Sequence, residues 1–432
     1  MVTSASSTPS AVSRPRKHLA PALGLALALA FMPSAVSAQK KLKVVGFYPD
    51  YSSGGVTNLT VSRLSYSIYF SIKPPVDGNV SDDYIINNID AQRMVDMVGQ
   101  GTPRGMGLML CVGGAAESGN FPALASNPTA RKKFASTLAA FCTTNGLAGV
   151  DIDWEFPGAG GAANFTALAK DLRAAFGTKL LLSTNVNGPD GSSYTAEALQ
   201  QFDWFQVMSY DNDWPVGSGP HSTLDQASQH LAAYANKVGA ANKKNILLGV
   251  PFFGKRAAAP QTATYGDILK ANPGLDPTTD NGGGYNFNGT TTLAAKTNMV
   301  IDQGYGGIMI WNLVQDAQDG RLLGAINTAI KGKGYVVEQG PITVGLRGAL
   351  RSKYAIQPWD GQGLVHMHAA PGAYRLTLYA PDGRFLRADA QQTLTGDLTW
   401  NLPAQAAGRY LYTLEGGEGQ AARTSGSVIP AR

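Results

Sequence analysis

Cysteine, histidine and charge are all scarce in this 432-residue chain, and each scarcity closes off a class of chemistry. Two cysteines and five histidines fall in no zinc-ligand spacing. There is no Walker-type phosphate loop and no clustered Lys/Arg stripe, so nucleotide chemistry and nucleic-acid binding are unsupported. Charged residues make up 15% against 44% hydrophobic, which excludes long disordered or coiled-coil stretches and suits an ordered globular protein. Past the N-terminus no apolar run is long enough to span a bilayer. The chain is therefore expected to act on a neutral substrate as a monomer, without metal or cofactor.

The N-terminus carries Arg14, Arg16 and Lys17, then an apolar run from Leu19 to Met32, then Val36-Ser37-Ala38 with small residues suited to cleavage. Pro21 and Gly24 interrupt the run, which is short for a membrane anchor. Residues 1–38 read as a signal peptide, and the protein as secreted or cell-surface. Its removal lowers the net charge from +5 to +2, so the basic balance says little about partners. In an exported protein Cys111 and Cys142 suggest a disulfide. Their expected places, a strand's C-terminal end and a helix end near the opposite rim, instead leave two buried free thiols.

From about residue 41 to 333 short apolar runs alternate with amphipathic segments, the pattern of repeated βα units. Strands are expected at Lys43 to Tyr48, Leu64 to Ser71, Gly107 to Val112, Gly149 to Glu155, Lys179 to Asn185, Trp204 to Tyr210, Ile246 to Phe252 and Gly307 to Asn312. Most are continuous hydrophobic runs, as strands covered on both faces should be. One helix should start at Asn127-Pro128 and close near Asn145-Gly146, and another should run from about Ala163 to Gly177. Eight such units match an α/β fold of the (β/α)8 TIM-barrel type. A doubly wound open sheet is the alternative, but it lacks its glycine-rich loop after the first strand.

Beyond Lys331-Gly332-Lys333-Gly334 the pattern changes to alternating strands with turn signals at Pro381-Asp382-Gly383 and Glu415-Gly416-Gly417. Strands at Ala373 to Tyr379, Leu398 to Leu402 and Gly408 to Leu414 suggest a small β-sandwich. The expected organisation is a signal peptide at 1–38, a barrel at 39–333, a linker at 334–340 and a C-terminal β-sandwich domain at 341–432.

The most informative stretch is Val150-Asp151-Ile152-Asp153-Trp154-Glu155-Phe156-Pro157. In a strand, residues two apart share a face, so Asp151, Asp153 and Glu155 point one way and Val150, Ile152, Trp154 and Phe156 the other. In a barrel the apolar set packs against helices and three carboxyls line the interior. Like charges buried in a row titrate together, and some keep their protons. A solvent-facing strand or a carboxylate metal site are the alternatives, the second weakened by the absence of a nearby histidine. Glu155 lies at the C-terminal end, where barrel enzymes keep their chemistry. A carboxylic acid still protonated near neutral pH can protonate a glycosidic oxygen.

These residues resemble glycoside hydrolase family 18, the chitinase family, whose fourth barrel strand bears D-x-x-D-x-D-x-E. Here the pattern runs from Ala148 to Glu155, with Ala148 in place of the first Asp. That residue is expected at the N-terminal rim or on the helix-facing side. Val45-Gly46-Phe47-Tyr48 is similar to the family's first strand, Cys111-Val112-Gly113-Gly114 to its S-x-G-G, and Met208-Ser209-Tyr210-Asp211 to its M-x-Y-D. The eighth strand ends in the expected Trp311.

The resemblance implies retaining, substrate-assisted hydrolysis of chitin or another N-acetylglucosamine-containing glycan. In it Glu155 protonates the leaving oxygen, the 2-acetamido carbonyl attacks C1, and Asp153 orients the amide and stabilises the oxazolinium cation. Asp151 shares a proton or hydrogen bond with Asp153. Tyr210 bonds the acetamido oxygen, Asp211 contacts the same sugar, Met208 lines the pocket and Trp311 forms its floor. Tyr48 and Trp214 are further substrate-binding candidates. Between the seventh and eighth strands there is room for a loop and one helix, which favours an open cleft and internal cleavage. An endo-β-N-acetylglucosaminidase acting on N-glycans and a non-catalytic chitin-binding lectin remain as alternatives, the lectin disfavoured by the presence of Glu155. The C-terminal region resembles sorting or FlgD-type β-sandwich modules of some bacteria, so a bacterial source is expected. Trp359 and Trp400 could be core or sugar platforms there.

Overall fold

The computed structural model describes residues 39–52, 62–90, 93–94, 97, 105–188 and 191–340, with seven further strands between residues 354 and 428. The expected signal peptide, Pro381-Asp382-Gly383 and Trp359 lie outside the described residues. Seven strands come first: β1 (Lys40–Pro49), β2 (Tyr66–Ile72), β3 (Gly107–Gly113), β4 (Gly149–Asp153), β5 (Leu181–Asn187), β6 (Trp204–Met208) and β7 (Ile246–Pro251). After the short strands β8 (Phe253–Lys255), β9 (Thr262–Thr264), β10 (Asn281–Gly282) and β11 (Tyr285–Asn286) comes β12 (Gly307–Trp311). β1 to β7 pair in sequence order, β7 pairs with β12, and β12 returns to β1. All these pairings are parallel, with Val45 opposite both Tyr66 and Met309. The result is a closed (β/α)8 TIM barrel.

Strand alternation divides the core in two. Val45, Phe47, Ile68, Met109, Cys111, Leu247 and Met309 fill the barrel interior. Val44, Leu110, Val150, Ile152, Leu248 and Ile310 belong to the larger layer between strands and helices. Each fully buried aliphatic side chain contributes about 1.5–3 kcal/mol, which makes this outer layer the main source of stability.

The described helices are α1 (Asp82–Asn88), α2 (Phe121–Ser126), α3 (Pro128–Asn145), α4 (Gly158–Phe176), α5 (Ala196–Leu199), α6 (Leu224–Val238), α7 (Tyr265–Ala271), α8 (Thr290–Asp302) and α9 (Arg321–Gly332). Asn127 caps α3 by accepting the Thr129 and Ala130 N–H groups, and Gly146, at φ 68°, closes it. Such an N-cap is worth about 1 kcal/mol. α4 begins five residues before the expected Ala163. Its first turn is Gly158-Ala159-Gly160-Gly161, a composition with low helix propensity that hides the start.

Two expectations need correction. The segment after β7 holds more than a loop and one helix: β8 to β11 form a four-stranded antiparallel sheet beside α7 and α8. The premise for internal cleavage therefore falls away. The expected linker contains β13 (Tyr335–Val337), which pairs in parallel with Lys40 to Leu42 of β1. Ala148 lies at the N-terminal end of β4, as one of its two expected places requires, and its side chain packs with the interior residues Tyr66 and Trp204.

The C-terminal strands are β14 (Tyr354–Gln357), β15 (Leu364–Ala369), β16 (Gly372–Tyr379), β17 (Phe385–Thr393), β18 (Asp397–Asn401), β19 (Tyr410–Gly416) and β20 (Ala422–Val428). They form two antiparallel sheets, β14-β15-β18 and β17-β16-β19-β20.

Candidate active site

The site begins with the parity of β4. Asp151 and Asp153 point into the barrel and are buried, while Val150, Ile152 and Trp154 face the helices. Trp154 stacks on Phe121 at a ring separation of 5.1 Å. The strand ends at Asp153, two residues before the expected Glu155, because other partners take over its ladder bonds. The Gly114 N–H donates to the Asp153 carbonyl at 2.7 Å, and the Glu155 N–H donates to Ser118 Oγ at 2.9 Å. Close approach of the β3 end requires glycine: at Gly113, φ 105°, a Cβ would lie 2.2 Å from the Asp153 carbonyl oxygen. Freed from the strand, Phe156 is exposed instead of packing beside Trp154.

Asp151 is the best-solvated of the three acids, by protein groups. Ser183 Oγ and Gln206 Nε2 donate to Oδ1, at 2.5 and 3.1 Å, and Asn185 Nδ2 donates to Oδ2 at 2.7 Å. The Cys111 thiol lies 3.6 Å from Oδ2. Burial pushes Asp151 up to about 6, and these donors limit the rise. Asp153 is driven well above the carboxylate range, first by burial and then by the charges of Glu155 and Asp151. Its Oδ1 is buried without a hydrogen-bond partner. Burial and then the charge of Asp211 raise Glu155 to about 7.

Asp153 and Glu155 open onto a cavity of about 430 Å³, whose walls include Phe47, Tyr51, Phe70, Asn185, Met208, Tyr210, Asp211 and Trp311. Phe47 and Phe70 brace Trp311, at ring separations of 5.6 and 4.7 Å. Burial, then Glu155 and Asp153, push the Tyr210 hydroxyl far up, so it remains a donor. Asp211 has φ 60°, a left-handed conformation uncommon outside glycine. Its backbone N–H donates to His221 Nδ1 at 3.3 Å. Lys255 Nζ lies 3.1 Å from a carboxylate oxygen of Asp211 and 3.1 Å from one of Asp213. Burial works against the Asp211 charge, but His221 and Lys255 prevail and hold its pKa down. Asp211, Asp213 and His221 could converge on a cation. In this structure the Lys255 ammonium supplies the positive charge.

Of the expected site residues, the structure brings Asp153, Glu155, Met208, Tyr210, Asp211 and Trp311 to one cavity, with Asp151 directly beneath. Tyr48 is a correction. Alternation along β1 turns it outward, where it is buried in the helix-side core near Tyr69, and Phe47 faces the cavity instead. Trp214 is 88% exposed on the loop after β6 and is not part of the cavity wall. Both cysteines are buried and free, as their expected separation requires. Sequence reading missed Ser183, Asn185, Gln206 and Lys255. The first three were detectable, since they are polar residues at the inward positions of β5 and β6.

Comparison with known proteins agrees with this geometry. The sequence profile of "Glycosyl hydrolases family 18" matches residues 43–316. Chitinase 63 of Streptomyces plicatus is 27% identical over 278 residues, covering 52% of this chain and 45% of that protein. Chitinase 1 of Aphanocladium album is 34% identical over 178 residues, covering 35% and 42%. The chain thus spans under half the length of these curated relatives. A family 18 chitinase from the chitin utilization locus of Flavobacterium johnsoniae superposes with a TM-score of 0.60 at 26% identity, covering 69% of this chain and 97% of that one. No helix among the described residues is long and apolar enough to cross a membrane. With the profile covering more than half of the sequence and its motifs gathered at one barrel rim, the chain belongs to glycosyl hydrolases family 18.

Proposed function

We propose that the protein is a secreted bacterial chitinase that hydrolyses β-1,4 bonds between N-acetylglucosamine units, with retention and by substrate assistance. The observation that carries this reading is the environment of two acids at the cavity floor. Glu155, raised to about 7, is still substantially protonated at neutral pH and can give its proton to the leaving oxygen. Asp153 offers a buried oxygen with no partner, suited to accept the N–H of a 2-acetamido group.

The acetamido carbonyl oxygen then attacks C1 as the glycosidic bond breaks, and the Glu155 proton leaves with the aglycone. The resulting oxazolinium cation is stabilised by Asp153, with Asp151 beneath it. Glu155, now a carboxylate, takes a proton from water as the water oxygen attacks C1, which restores the acid and the acetamide. Tyr210 donates to the acetamido oxygen, Asp211 contacts the same sugar, Met208 lines its pocket, and Trp311 faces the apolar side of the ring. The similarity to chitinases supports the choice of chitin. The basic, then apolar, then small-residue order of residues 1–38 supports export.

The test is product analysis on chitooligosaccharides for the wild type and Glu155→Gln side by side. The wild type should release shorter oligosaccharides, while the variant folds and loses ~10²–10⁴-fold in turnover. Binding without products in the wild type would favour a lectin, and release of N-glycans with no action on chitooligosaccharides would favour the endoglycosidase reading. Near wild-type turnover in Glu155→Gln would remove Glu155 as the acid.

A further inference from the structure

Helix α8 carries a fully buried lysine, Lys296, which is not among the residues that line the cavity. Lys296 Nζ lies 2.7 Å from Ser222 Oγ, 2.9 Å from the Ser222 carbonyl oxygen and 2.7 Å from Asn288 Oδ1. All three partners are neutral, and all must accept. The Ser222 hydroxyl spends its own hydrogen on the Ser209 carbonyl at 2.6 Å, and Asn288 Nδ2 donates to the Ser222 carbonyl at 2.8 Å. Nζ therefore has to supply three hydrogens, which only the ammonium form possesses.

Ser209 stands between Met208 and Tyr210. The Ser222 hydroxyl holds its carbonyl, and its own hydroxyl pairs with His230 Nδ1 at 2.9 Å. His221, next to Ser222, accepts the Asn212 N–H on its carbonyl at 3.0 Å and the Asp211 N–H on its ring. Residues 209–222 thus form a loop whose returning end fixes its outgoing end, and Lys296 fixes the returning end to helix α8.

Resting on the reading under Proposed function, we propose that the Lys296 ammonium is a positioning residue. Through Ser222 and His221 it holds Tyr210 and Asp211 in place for the sugar. When Nζ loses its proton, one of the three acceptors faces a lone pair and the tether weakens. Burial pushes Lys296 down to about 7, while the charge of Asp280 works the other way. His230, across on α6, is itself pushed down by burial and by Lys296. Asp280 is engaged locally by the Gly289 N–H and the Thr292 hydroxyl, so it is not a direct partner of Nζ.

The experiment has two readouts. Without any sugar, amide hydrogen-exchange protection of residues 209–222 in the wild-type protein should fall as pH rises through about 7, beyond the intrinsic pH effect. Unchanged protection across that range overturns the proposal, whatever the protein's substrate proves to be. With a chitooligosaccharide, Lys296→Met should be about tenfold slower below about pH 6, chiefly in kcat, because reacting groups are misplaced. The deficit should narrow to within about twofold above about pH 8.5, where the wild type has lost the same proton. A deficit constant with pH, or no deficit, means that Lys296 is merely structural. Should Lys296→Met fail to fold, the hydrogen-exchange measurement on the wild-type protein decides alone, and protection of residues 209–222 that stays flat with pH overturns the proposal.

Discussion

Three carboxyls on one face of β4 have three different environments, and their division of labour follows from what surrounds each. Four groups donate to or touch Asp151, so burial lifts it only to about 6. Asp153 has fewer donors and two acidic neighbours and is driven higher. Glu155 stands at the cavity edge beside Asp211, whose charge adds to the effect of burial. A general acid must start protonated, so kcat/KM should decline as pH rises through about 7, the group's raised value. Asp153 and Glu155 exchange influence, so the apparent constant belongs to the pair. Removing the Asp211 charge takes away one cause of the rise, and Asp211→Asn should move this alkaline limb to lower pH. A pH–rate profile checks it, and a limb that stays in place or moves up would mean that Asp211 does not act on Glu155. The inward direction of the acids was legible from period-two alternation alone. Their donors Ser183, Asn185 and Gln206 obey the same alternation on β5 and β6, but polar residues within a strand carry no motif that marks them.

At the scale of the element, the decisive contact is between the ends of β3 and β4. Gly113 and Gly114 let the β3 backbone pass close to the Asp153 carbonyl, and Ser118 then captures the Glu155 N–H. Gly113→Ala would put a Cβ where no space exists and force a left-handed conformation on a non-glycine residue. Thermal unfolding should show a loss of about 1–3 kcal/mol, accompanied by lower turnover because Glu155 shifts with the strand end. Unaltered stability and activity would show that β3 can retreat at no cost. The barrel strands were legible because a strand covered on both faces is a continuous apolar run. β10 and β11, of two residues each, are too short for any period, so the sheet after β7 was missed. Tyr48 was misplaced for a related reason. A motif names residues without their facing, whereas the parity of β1 assigns the cavity to Phe47 and the helix-side core to Tyr48.

For the whole molecule, closure of β12 onto β1 brings strand ends that are distant in sequence to one rim, and this makes a single cavity out of residues between 47 and 311. Closure was legible from eight repeated units, while β13 was hidden by its place just after a Lys/Gly-rich helix end. If the substrate's acetamide attacks, as proposed, the reaction needs no protein nucleophile opposite Glu155. Removing the acetyl group should therefore abolish catalysis without altering the protein. The measurement is kcat/KM for an N-acetylated chitooligosaccharide against its fully deacetylated counterpart at the same length and pH. The expected result is hydrolysis of the first and a loss of several orders of magnitude on the second. Equal rates would show that the acetamide is not the nucleophile and that Glu155 and Asp153 work by another route.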